Sequence, residues 1–462
     1  MNKLCWLIVR SMCLPCVVCG LSANSTVLAK EGLRVATFDV DASPPVGSPL
    51  AYDPTKEITE PLSCRGIVLA PGDEKPIVLC TVDWLGIANA AHQEFRERMA
   101  VATGTTADRV SVHTLHQHDA PRCDFSAEAI LVEFGHGGKN YDERFCRDVF
   151  VRAADAAKTA LNNAKTVSHF GVGSAEVVEV ASNRRLLGED GRVQHTRYTA
   201  CRDPDIRALP VGTIDPLLRM VTFRAGDEVV ATLTFYATHP QSYYRTGQAN
   251  PDFPGMARNA LQKQLGSPVI HFNGAGGNIG AGKWNDGSQG NRQVLADKVL
   301  KGMTEAEAAL KFESVNNSPF LWKTAAIALP IGDHLVEDAL IPVLKDEATT
   351  GPNQLTAAKH LAWLRRAKAG ITTDIGCLSL GPVRILFMPG ELFVEYQLAA
   401  QKMAPEQFVA MAAYGEYGPG YVCTKIAYSQ GGYEPSDRAS RVSPAVEEVL
   451  MTAMKKLLAD EL

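Results

Sequence analysis

The sequence predicts an α/β fold with a mixed β-sheet core flanked by helices, in a single large domain. Short β-rich runs alternate along the chain with longer segments of helical spacing, which is typical of α/β proteins. No internal repeat and no Pro-, Ser- or Gly-rich linker divides the 462 residues. A chain of this length buries a large core without needing disulfides.

Turn signals and hydrophobic spacing place the elements in order. Strands are expected at 65–70, 76–82, 109–114, 167–180, 217–223, 229–238, 269–272, 377–380 and 383–387. Helices are expected at 93–103, 142–164, 252–264, 289–310, 355–369 and 445–458. The turns at Gly226-Asp227 and Gly381-Pro382 separate neighbouring strands and predict hairpins. Ser443 before Pro444 is typical of a helix start, and another helix start is expected at 388–391.

The charge balance argues against nucleic acid as a partner. The net charge is −5 and the isoelectric point is about 6.2, so there is no basic footprint for a phosphate backbone. No run of Lys and Arg is dense enough to predict a polybasic membrane patch. Nothing after residue 30 has the apolar length of a transmembrane helix.

Residues 1–29 are predicted to be a signal peptide. Lys3 and Arg10 are the only charges among its apolar runs, and Val27-Leu28-Ala29 has the small-residue spacing of a cleavage site. The alternative is an uncleaved membrane anchor, for which the interrupted apolar run is short. We therefore expect an exported protein, periplasmic or secreted, with its mature domain at 30–462. The cysteines after the leader form no CxxC pair, so a structural zinc knuckle is not expected.

The richest group of potential metal ligands is His113-Thr-Leu-His116-Gln-His118-Asp119. It follows a β-rich run, and functional side chains of α/β folds gather where strands end. If the strand geometry continues, His116 and His118 point to the same face because side chains alternate. One histidine could then bind a metal while the other stands beside it. The alternative is a set of hydrogen-bonded loop histidines, although this clustering favours a metal or catalytic site.

Two distant residues qualify as further ligands, since zinc commonly takes three protein ligands from His, Asp and Glu. His239 follows the alternating run 229–238, and Glu391 follows the apolar run 385–388 and a Pro-Gly pair. The alternative for His239 is a strand-end histidine bonded to the backbone. For Glu391 the alternative is an acid in the first turn of a helix, where the helix dipole favours it.

The segment Asn273-Gly-Ala-Gly-Gly-Asn278-Ile-Gly280 is rich in glycine, yet it has no GxGxxG match within a βαβ unit. The chain also has no Gly-Lys-Ser/Thr motif, so a nucleotide site is rejected. The flexible backbone could instead approach a metal or a substrate closely. The chain has no GxSxG elbow, so a serine hydrolase is not supported.

Taken in order, the motifs resemble the neutral/alkaline non-lysosomal ceramidase family. The matches are collinear from about residue 34 to residue 440, and their order is more specific than any one of them. The matching segments are His116-Gln-His118-Asp-Ala-Pro121, Ser182-Asn183-Arg184, Phe235-Tyr-Ala-Thr-His239, Pro251-Asp252-Phe-Pro-Gly255, Phe272-Asn-Gly-Ala-Gly-Gly-Asn278, Met388-Pro-Gly-Glu391, Tyr417-Gly-Pro-Gly-Tyr421 and Tyr433-Glu434.

The resemblance implies an enzyme with a zinc ion and four protein ligands, His116, His239, Glu391 and Tyr421. It implies His118 as an acid/base histidine beside the metal and Arg184 as a cation that contacts the substrate. Tyr421 would also hydrogen-bond the developing oxyanion. The implied reaction is hydrolysis of the N-acyl bond of ceramide-like lipids, a step of sphingolipid metabolism. A lipid-like substrate implies transient contact with a membrane surface, and the oligomeric state stays open.

Two departures from the family pattern bear on the substrate. The family's Ser-Gly is Asp119-Ala120 here, which leaves the local substrate contacts open, and only about 40 residues follow Tyr421, so the C-terminal immunoglobulin-like domain of longer members is not expected. The resemblance therefore supports metal-dependent amide hydrolysis better than ceramide itself. The alternatives are a zinc hydrolase of another amide or ester and a non-catalytic secreted binding protein. The four retained candidate ligands argue against the binding protein.

Overall fold

The computed structural model describes residues 32–459, which form three mixed β-sheets with helices on their outer sides. The predicted α/β fold class is confirmed. The predicted signal peptide at 1–29 lies outside the described residues. Within residues 32–459, no helix is long and apolar enough to cross a membrane.

Each main sheet is defined here by its strands in spatial order. The first sheet contains Val110–Thr114, Ile77–Val82, Ser63–Pro71, Leu33–Asp41 and Lys165–Thr166. The second sheet contains Val269–Asn273, Glu228–Tyr236, Leu217–Ala225, His169–Glu176 and Lys311–Ser314. The third sheet contains Phe320–Ile327, Thr373–Leu380, Val383–Phe387 and Phe408–Ala412. Short strand pairs join the loops: Glu57–Ile58 with Gln248–Ala249, Gly86–Ala88 with Arg122–Asp124, Ser182–Asn183 with Ile279–Gly280, Arg185–Leu187 with Val193–Thr196, and Glu391–Leu392 with Tyr421–Val422.

One edge strand of each main sheet runs parallel to its neighbour, whereas the other pairs in these sheets are antiparallel. These edge strands are Val110–Thr114, Val269–Asn273 and Phe408–Ala412. Their carboxyl ends meet, because the Thr114 amide donates to the Tyr414 carbonyl at 3.0 Å and the Ala413 amide donates to the Asn273 carbonyl at 2.9 Å. Loops that leave the three sheets are thereby brought to one place, which is where α/β folds carry their sites.

The three sheets share an apolar core of aliphatic and aromatic side chains. Its members Phe170, Phe223, Phe272, Trp322 and Phe387 are all buried. Phe272 also contacts Phe387, with ring centroids 6.0 Å apart. Burying each of these large side chains stabilises the fold by roughly 1.5–3 kcal/mol relative to exposure, so this core holds the three sheets around the junction of their edge strands.

Helices cover the outer faces of the sheets. They are Asn89–Thr103, Phe125–Glu133, Glu143–Asn162, Pro204–Ala208, Asp252–Leu265, Gln289–Ala308, Glu337–Lys345, Gly351–Lys368, Val394–Met403, Lys425–Gln430 and Val446–Leu458. Glu143–Asn162 shows the local reason: Asp142 caps it by accepting the Phe145 amide at 3.0 Å, and Phe145, Val149 and Ala153 follow one another at helical spacing on the buried face.

The structure corrects one predicted element and adds several. The helix start predicted at 388–391 is wrong: Glu391 and Leu392 form a short strand, and the helix begins at Val394. The strands Leu33–Asp41, Phe320–Ile327 and Phe408–Ala412 were not predicted. They pair with strands that are distant in the chain. These pairings stabilise them, and the local alternation of side chains does not show such pairings.

Candidate metal centre

His116 and His118 come from the loop that follows the edge strand Val110–Thr114. The strand geometry does not continue to them, because His116 has a φ of 66° in the left-handed region. Alternation therefore does not explain their proximity; a sharp turn does. The two rings are 5.0 Å apart, nearly perpendicular. A left-handed non-glycine residue costs free energy and is typical of functional sites.

His239 reaches the same point from the second sheet, beyond the end of strand Glu228–Tyr236. Its Nε2 atom lies 3.2 Å from Nε2 of His116 and 3.3 Å from Nε2 of His118. The three side chains form a group whose ligand atoms all lie within 4.8 Å of one another, and which could hold a metal ion.

Glu391 arrives from the third sheet, after Gly390 turns the chain with a φ of 64°. Its Oε2 atom lies 3.2 Å from Nε2 of His116 and 3.9 Å from Nε2 of His239. Burial alone would raise the pKa of this carboxyl, but His116, His239 and Tyr417 together hold it below its ordinary value. The alternative of a first-turn helix acid is wrong, since Glu391 belongs to a short strand that pairs with Tyr421.

The hydrogen bonds assign the protons on two of the rings. His116 Nδ1 lies 2.7 Å from the Leu85 carbonyl, and His239 Nδ1 lies 3.3 Å from the Gly276 carbonyl. Each Nδ1 must carry a proton to donate, so both Nε2 atoms present lone pairs to each other. Oε2 of Glu391 is also buried and, within residues 32–459, has no hydrogen-bond donor. These three acceptor atoms face one another, and a bound cation would offset the repulsion between their lone pairs.

The separations between these atoms suit a small cation with tetrahedral ligands. Donors about 2.0–2.1 Å from a tetrahedral zinc ion lie about 3.3–3.4 Å from one another. The pairs His116–His239 and His116–Glu391 are both 3.2 Å apart, and His239–Glu391 is 3.9 Å apart. Nitrogen and carboxylate donors with protonated Nδ1 atoms bonded to carbonyls are the usual zinc environment. The residues therefore fit a metal ion.

His118 has the opposite proton arrangement. The Gln241 oxygen accepts from the Thr199 hydroxyl, which turns the Gln241 amide nitrogen towards His118 Nδ1 at 3.0 Å. Nδ1 of His118 is then an acceptor, and the ring carries its proton on Nε2, facing His239. Burial and then His116 and His239 lower the pKa of His118, so the ring is neutral.

Arg184 and Tyr421 form a second group beside the histidines. Arg184 donates from Nε to Glu434 at 2.7 Å and from Nη2 to the Tyr421 hydroxyl at 2.7 Å. Burial alone would lower the pKa of Arg184, but Tyr421 and Glu434 raise it above its ordinary value. Strand pairing sets Tyr421 opposite Glu391. Among the described residues, the Tyr421 hydroxyl bonds Arg184 and makes no hydrogen bond to the three histidines.

Several contacts at the centre were not predicted as site contacts. Tyr417 donates from its hydroxyl to Oε1 of Glu391 at 2.6 Å, and Tyr414 stacks on His116 with ring centroids 4.6 Å apart. The hydroxyl of Tyr52 lies 3.1 Å from Nδ1 of His118. The tyrosine-rich stretch around residue 417 could have predicted the contacts of Tyr414 and Tyr417. No sequence pattern indicated the contact of Tyr52.

Two motif residues have structural roles. His113 is buried, with Nδ1 2.7 Å from the Ala413 carbonyl and Nε2 2.9 Å from the Ser111 hydroxyl, so it lies apart from the candidate ligands. Asp119, which departs from the family pattern, accepts the Arg245 amide at 2.9 Å and the Thr246 hydroxyl at 2.7 Å. Asp119 therefore fixes the loop that follows His239.

The glycine-rich loop approaches the centre closely. A Cβ atom on Gly276 would lie 2.7 Å from the backbone carbon and oxygen of Thr238. The backbone of Gly276 also accepts the Nδ1 proton of His239. The loop therefore needs glycine because it holds a candidate ligand, and not because it binds phosphate.

Comparison with solved structures shows which known proteins have a similar fold. A crystal structure of neutral ceramidase from Pseudomonas aeruginosa is similar at 16% identity and a TM-score of 0.66, over 92% of this chain and 74% of that chain. A structure of ceramidase complexed with C2 is similar at 15% identity and a TM-score of 0.64, over 92% of this chain and 75% of that chain. No protein-family model and no curated protein sequence matches. The chain has the fold of these ceramidase structures, as the motif order predicted.

Proposed function

We propose that the protein is an exported zinc-dependent amide hydrolase that cleaves the N-acyl bond of ceramide-like lipids to a fatty acid and a sphingoid base. The observation that carries the proposal is the convergence of unprotonated Nε2 atoms of His116 and His239 with Oε2 of Glu391. The similar fold of two ceramidase structures supports the choice of reaction. The signal peptide predicted at 1–29 is the reason for proposing export to the periplasm or the medium.

The metal would be held by four residues, His116, His239, Glu391 and Tyr421. Zinc bound there would polarise the scissile carbonyl and lower the pKa of a water molecule towards about 7. The mutual distances of their side-chain atoms support the first three. Tyr421 is proposed from the family resemblance and from its pairing with Glu391 in the two short strands.

His118 would supply the proton that the leaving amine needs. Its neutral ring carries a proton on Nε2, 3.3 Å from Nε2 of His239 and thus at the edge of the ligand group. The Gln241 amide fixes this arrangement from the other side of the ring. Proton delivery by a positioned side chain contributes about 10²–10⁴-fold to such reactions.

Arg184 and Tyr421 would stabilise negative charge on the carbonyl oxygen. The Tyr421 hydroxyl accepts a hydrogen bond from Arg184, so when Tyr421 leaves the metal during turnover its own proton would be donated to that oxygen. Glu434 fixes the guanidinium group at 2.7 Å. A donor that is already oriented strengthens towards a developing oxyanion without further reorganisation.

The test is hydrolysis of a fluorescent ceramide by the zinc-loaded protein, together with a panel of other N-acyl amides and esters. Glu391→Gln, which keeps the size of the side chain and removes its charge, is expected to abolish turnover. Glu313→Gln changes an exposed glutamate on the second sheet and serves as the control. Turnover of another amide alone would move the proposal to that substrate. No turnover by any substrate would overturn it and favour the binding protein.

A further inference from the structure

The side chains around His118 become more exposed with distance from the candidate ligands. His116 and His239 are buried, whereas His118 is partly exposed. Two tyrosines contact His118, of which Tyr52 is 43% exposed and Tyr244 is partly exposed. His118 and these two rings therefore lie on the solvent side of the metal centre.

Tyr52, Tyr244 and Arg245 form a group that we call the Tyr–Arg cluster. The ring of Tyr52 stacks on His118 with centroids 5.7 Å apart, and the ring of Tyr244 lies 5.4 Å from His118 at an interplanar angle of 67°. The two tyrosine rings are 5.0 Å apart. The guanidinium carbon of Arg245 lies 5.1 Å from the centroid of Tyr52 and 5.4 Å from that of Tyr244. The cluster thus combines aromatic faces with a positive charge beside the candidate acid.

The polar groups of the cluster include donors without a partner in the protein. Within residues 32–459, the exposed guanidinium group of Arg245 makes no hydrogen bond or ion pair, and the hydroxyl of Tyr244 makes no hydrogen bond. The charge of Arg245 contacts the faces of the two rings, and such contacts leave its N–H groups available. A ligand beside His118 can therefore accept from Arg245.

The backbone at Arg245 is strained and firmly held. Its φ is 66°, in the left-handed region that is costly for a residue with a side chain. Asp119 accepts the Arg245 amide at 2.9 Å and the Thr246 hydroxyl at 2.7 Å. The buried Arg292 donates to the Tyr243 carbonyl at 3.1 Å. Strain that surrounding contacts maintain is typical of functional sites, so this loop presents its side chains in a defined orientation.

The proposed roles of the neighbouring residues decide which half of the substrate meets the cluster. His118 would give its Nε2 proton to the leaving amine, so the amide nitrogen must come within hydrogen-bond reach of this ring. Tyr421 and Arg184 would face the carbonyl oxygen instead. Because Tyr52 and Tyr244 contact the His118 ring, the group attached to the nitrogen begins beside the cluster.

We propose that the Tyr–Arg cluster binds the amine half of the substrate, with Arg245 donating a hydrogen bond to a hydroxyl oxygen close to the amide nitrogen. The inference rests on the proposed amide hydrolysis and names residues that select the amine. The sphingoid base of a ceramide-like lipid carries hydroxyl groups next to its nitrogen and hydrocarbon beyond them. The faces of Tyr52 and Tyr244 suit the hydrocarbon, and the charged donor strengthens the hydrogen bond to the hydroxyl oxygen.

The experiment compares two amides that differ in one hydroxyl group, N-dodecanoylsphinganine and N-dodecanoyl-1-deoxysphinganine, with the zinc-loaded protein. We expect the wild type to prefer the hydroxylated amide by about tenfold in kcat/KM. The preference should lie in KM, since the contact is made away from the bond that breaks. Arg245→Met keeps the length of the side chain and removes its charge, and is expected to abolish the preference. Arg245→Lys, which keeps the charge, is expected to retain part of it.

The matched control is Arg144→Met, which changes an exposed arginine on the helix Glu143–Asn162 and is expected to keep the preference. A second comparison, of N-hexanoylsphinganine with N-dodecanoylsphinganine, varies the acyl half alone. The ratio of their kcat/KM values is expected to be the same in the wild type and in Arg245→Met. A change in this ratio without a change in the hydroxyl preference would overturn the assignment to the amine half. Equal kcat/KM for the first two amides in the wild type, or a hydroxyl preference that Arg245→Met keeps, would also overturn it.

Failure of the proposed function can be told apart from failure of this inference. If no amide is hydrolysed, the proposed function fails, and binding to the zinc-loaded protein is measured by calorimetric titration. The probes are the N-acetyl amides of eight-carbon sphinganine and of its 1-deoxy analogue. Tighter binding of the hydroxylated probe by the wild type but not by Arg245→Met would support the cluster as an amine site. Equal binding of the two probes by the wild type, or a difference that Arg245→Met keeps, would reject it.

Discussion

Tyr417→Phe tests whether the hydroxyl that supports Glu391 matters for the metal. The substitution removes one hydrogen bond of 2.6 Å to Oε1 of the carboxylate. It keeps the ring, which packs so closely against Gly86 that a Cβ there would lie 2.5 Å from a ring carbon. A hydrogen bond to a charged group contributes about 1.5–3 kcal/mol. At about 1.4 kcal/mol for each factor of ten, zinc affinity should fall roughly 10- to 150-fold.

The assay is competitive titration of zinc against a chelator of known affinity at pH 7. Tyr428→Phe is the matched control, because the hydroxyl of Tyr428 bonds the Val442 carbonyl at 3.0 Å and the Ser440 hydroxyl at 3.1 Å, and among the described residues it bonds neither Glu391 nor the histidines. Support of a ligand by an outer hydrogen bond typically changes metal affinity by about 10- to 100-fold, which agrees with the expected loss. Unchanged zinc affinity in Tyr417→Phe, or an equal loss in Tyr428→Phe, would refute the reasoning.

Two further substitutions probe the loop and the fold. Gly276→Ala should lower zinc occupancy, measured by elemental analysis. The new Cβ would lie 2.7 Å from the Thr238 backbone and displace the carbonyl that bonds His239. Normal zinc occupancy in this variant would contradict the expectation. Arg258→Met should destabilise the protein by about 3–5 kcal/mol in urea unfolding, since it leaves the buried carboxyl of Asp83, bound at 2.6 Å, without its partner. Although burial raises the pKa of Asp83, Arg258 holds it below its ordinary value, so this stabilisation is present at neutral pH and is lost as the pH falls through that low pKa. A double substitution with Asp83→Leu should recover part of the loss, and no recovery would count against the pair.

The sequence was informative where a local pattern determines the structure. Helix Glu143–Asn162 and the hairpin of Leu217–Ala225 with Glu228–Tyr236 lie within a few residues of their predicted positions. Spacing and turn residues suffice there. His116, His118, His239 and Glu391 were also predicted from strand ends and motif order, and the structure brings these four side chains together.

The remainder depends on long-range geometry. No local pattern shows that three sheets join through Thr114, Tyr414 and Asn273, because these contacts link residues that are distant in the chain. Alternation along a strand predicted that His116 and His118 point to the same face. The two side chains do lie together, but the cause is the left-handed φ of His116, which its surroundings set. The role of Gln241 follows only from its contacts with Thr199 and His118.

The most direct test of the account is the zinc content of the mature protein, measured by elemental analysis on the wild type and on His239→Ala. His239 is buried, and its Nε2 atom lies 3.2 Å from that of His116. We expect about one zinc ion per chain in the wild type, and loss of both the zinc ion and amide hydrolysis in the variant. A wild-type protein that takes up no zinc, or a His239→Ala variant that keeps both zinc and activity, would contradict it.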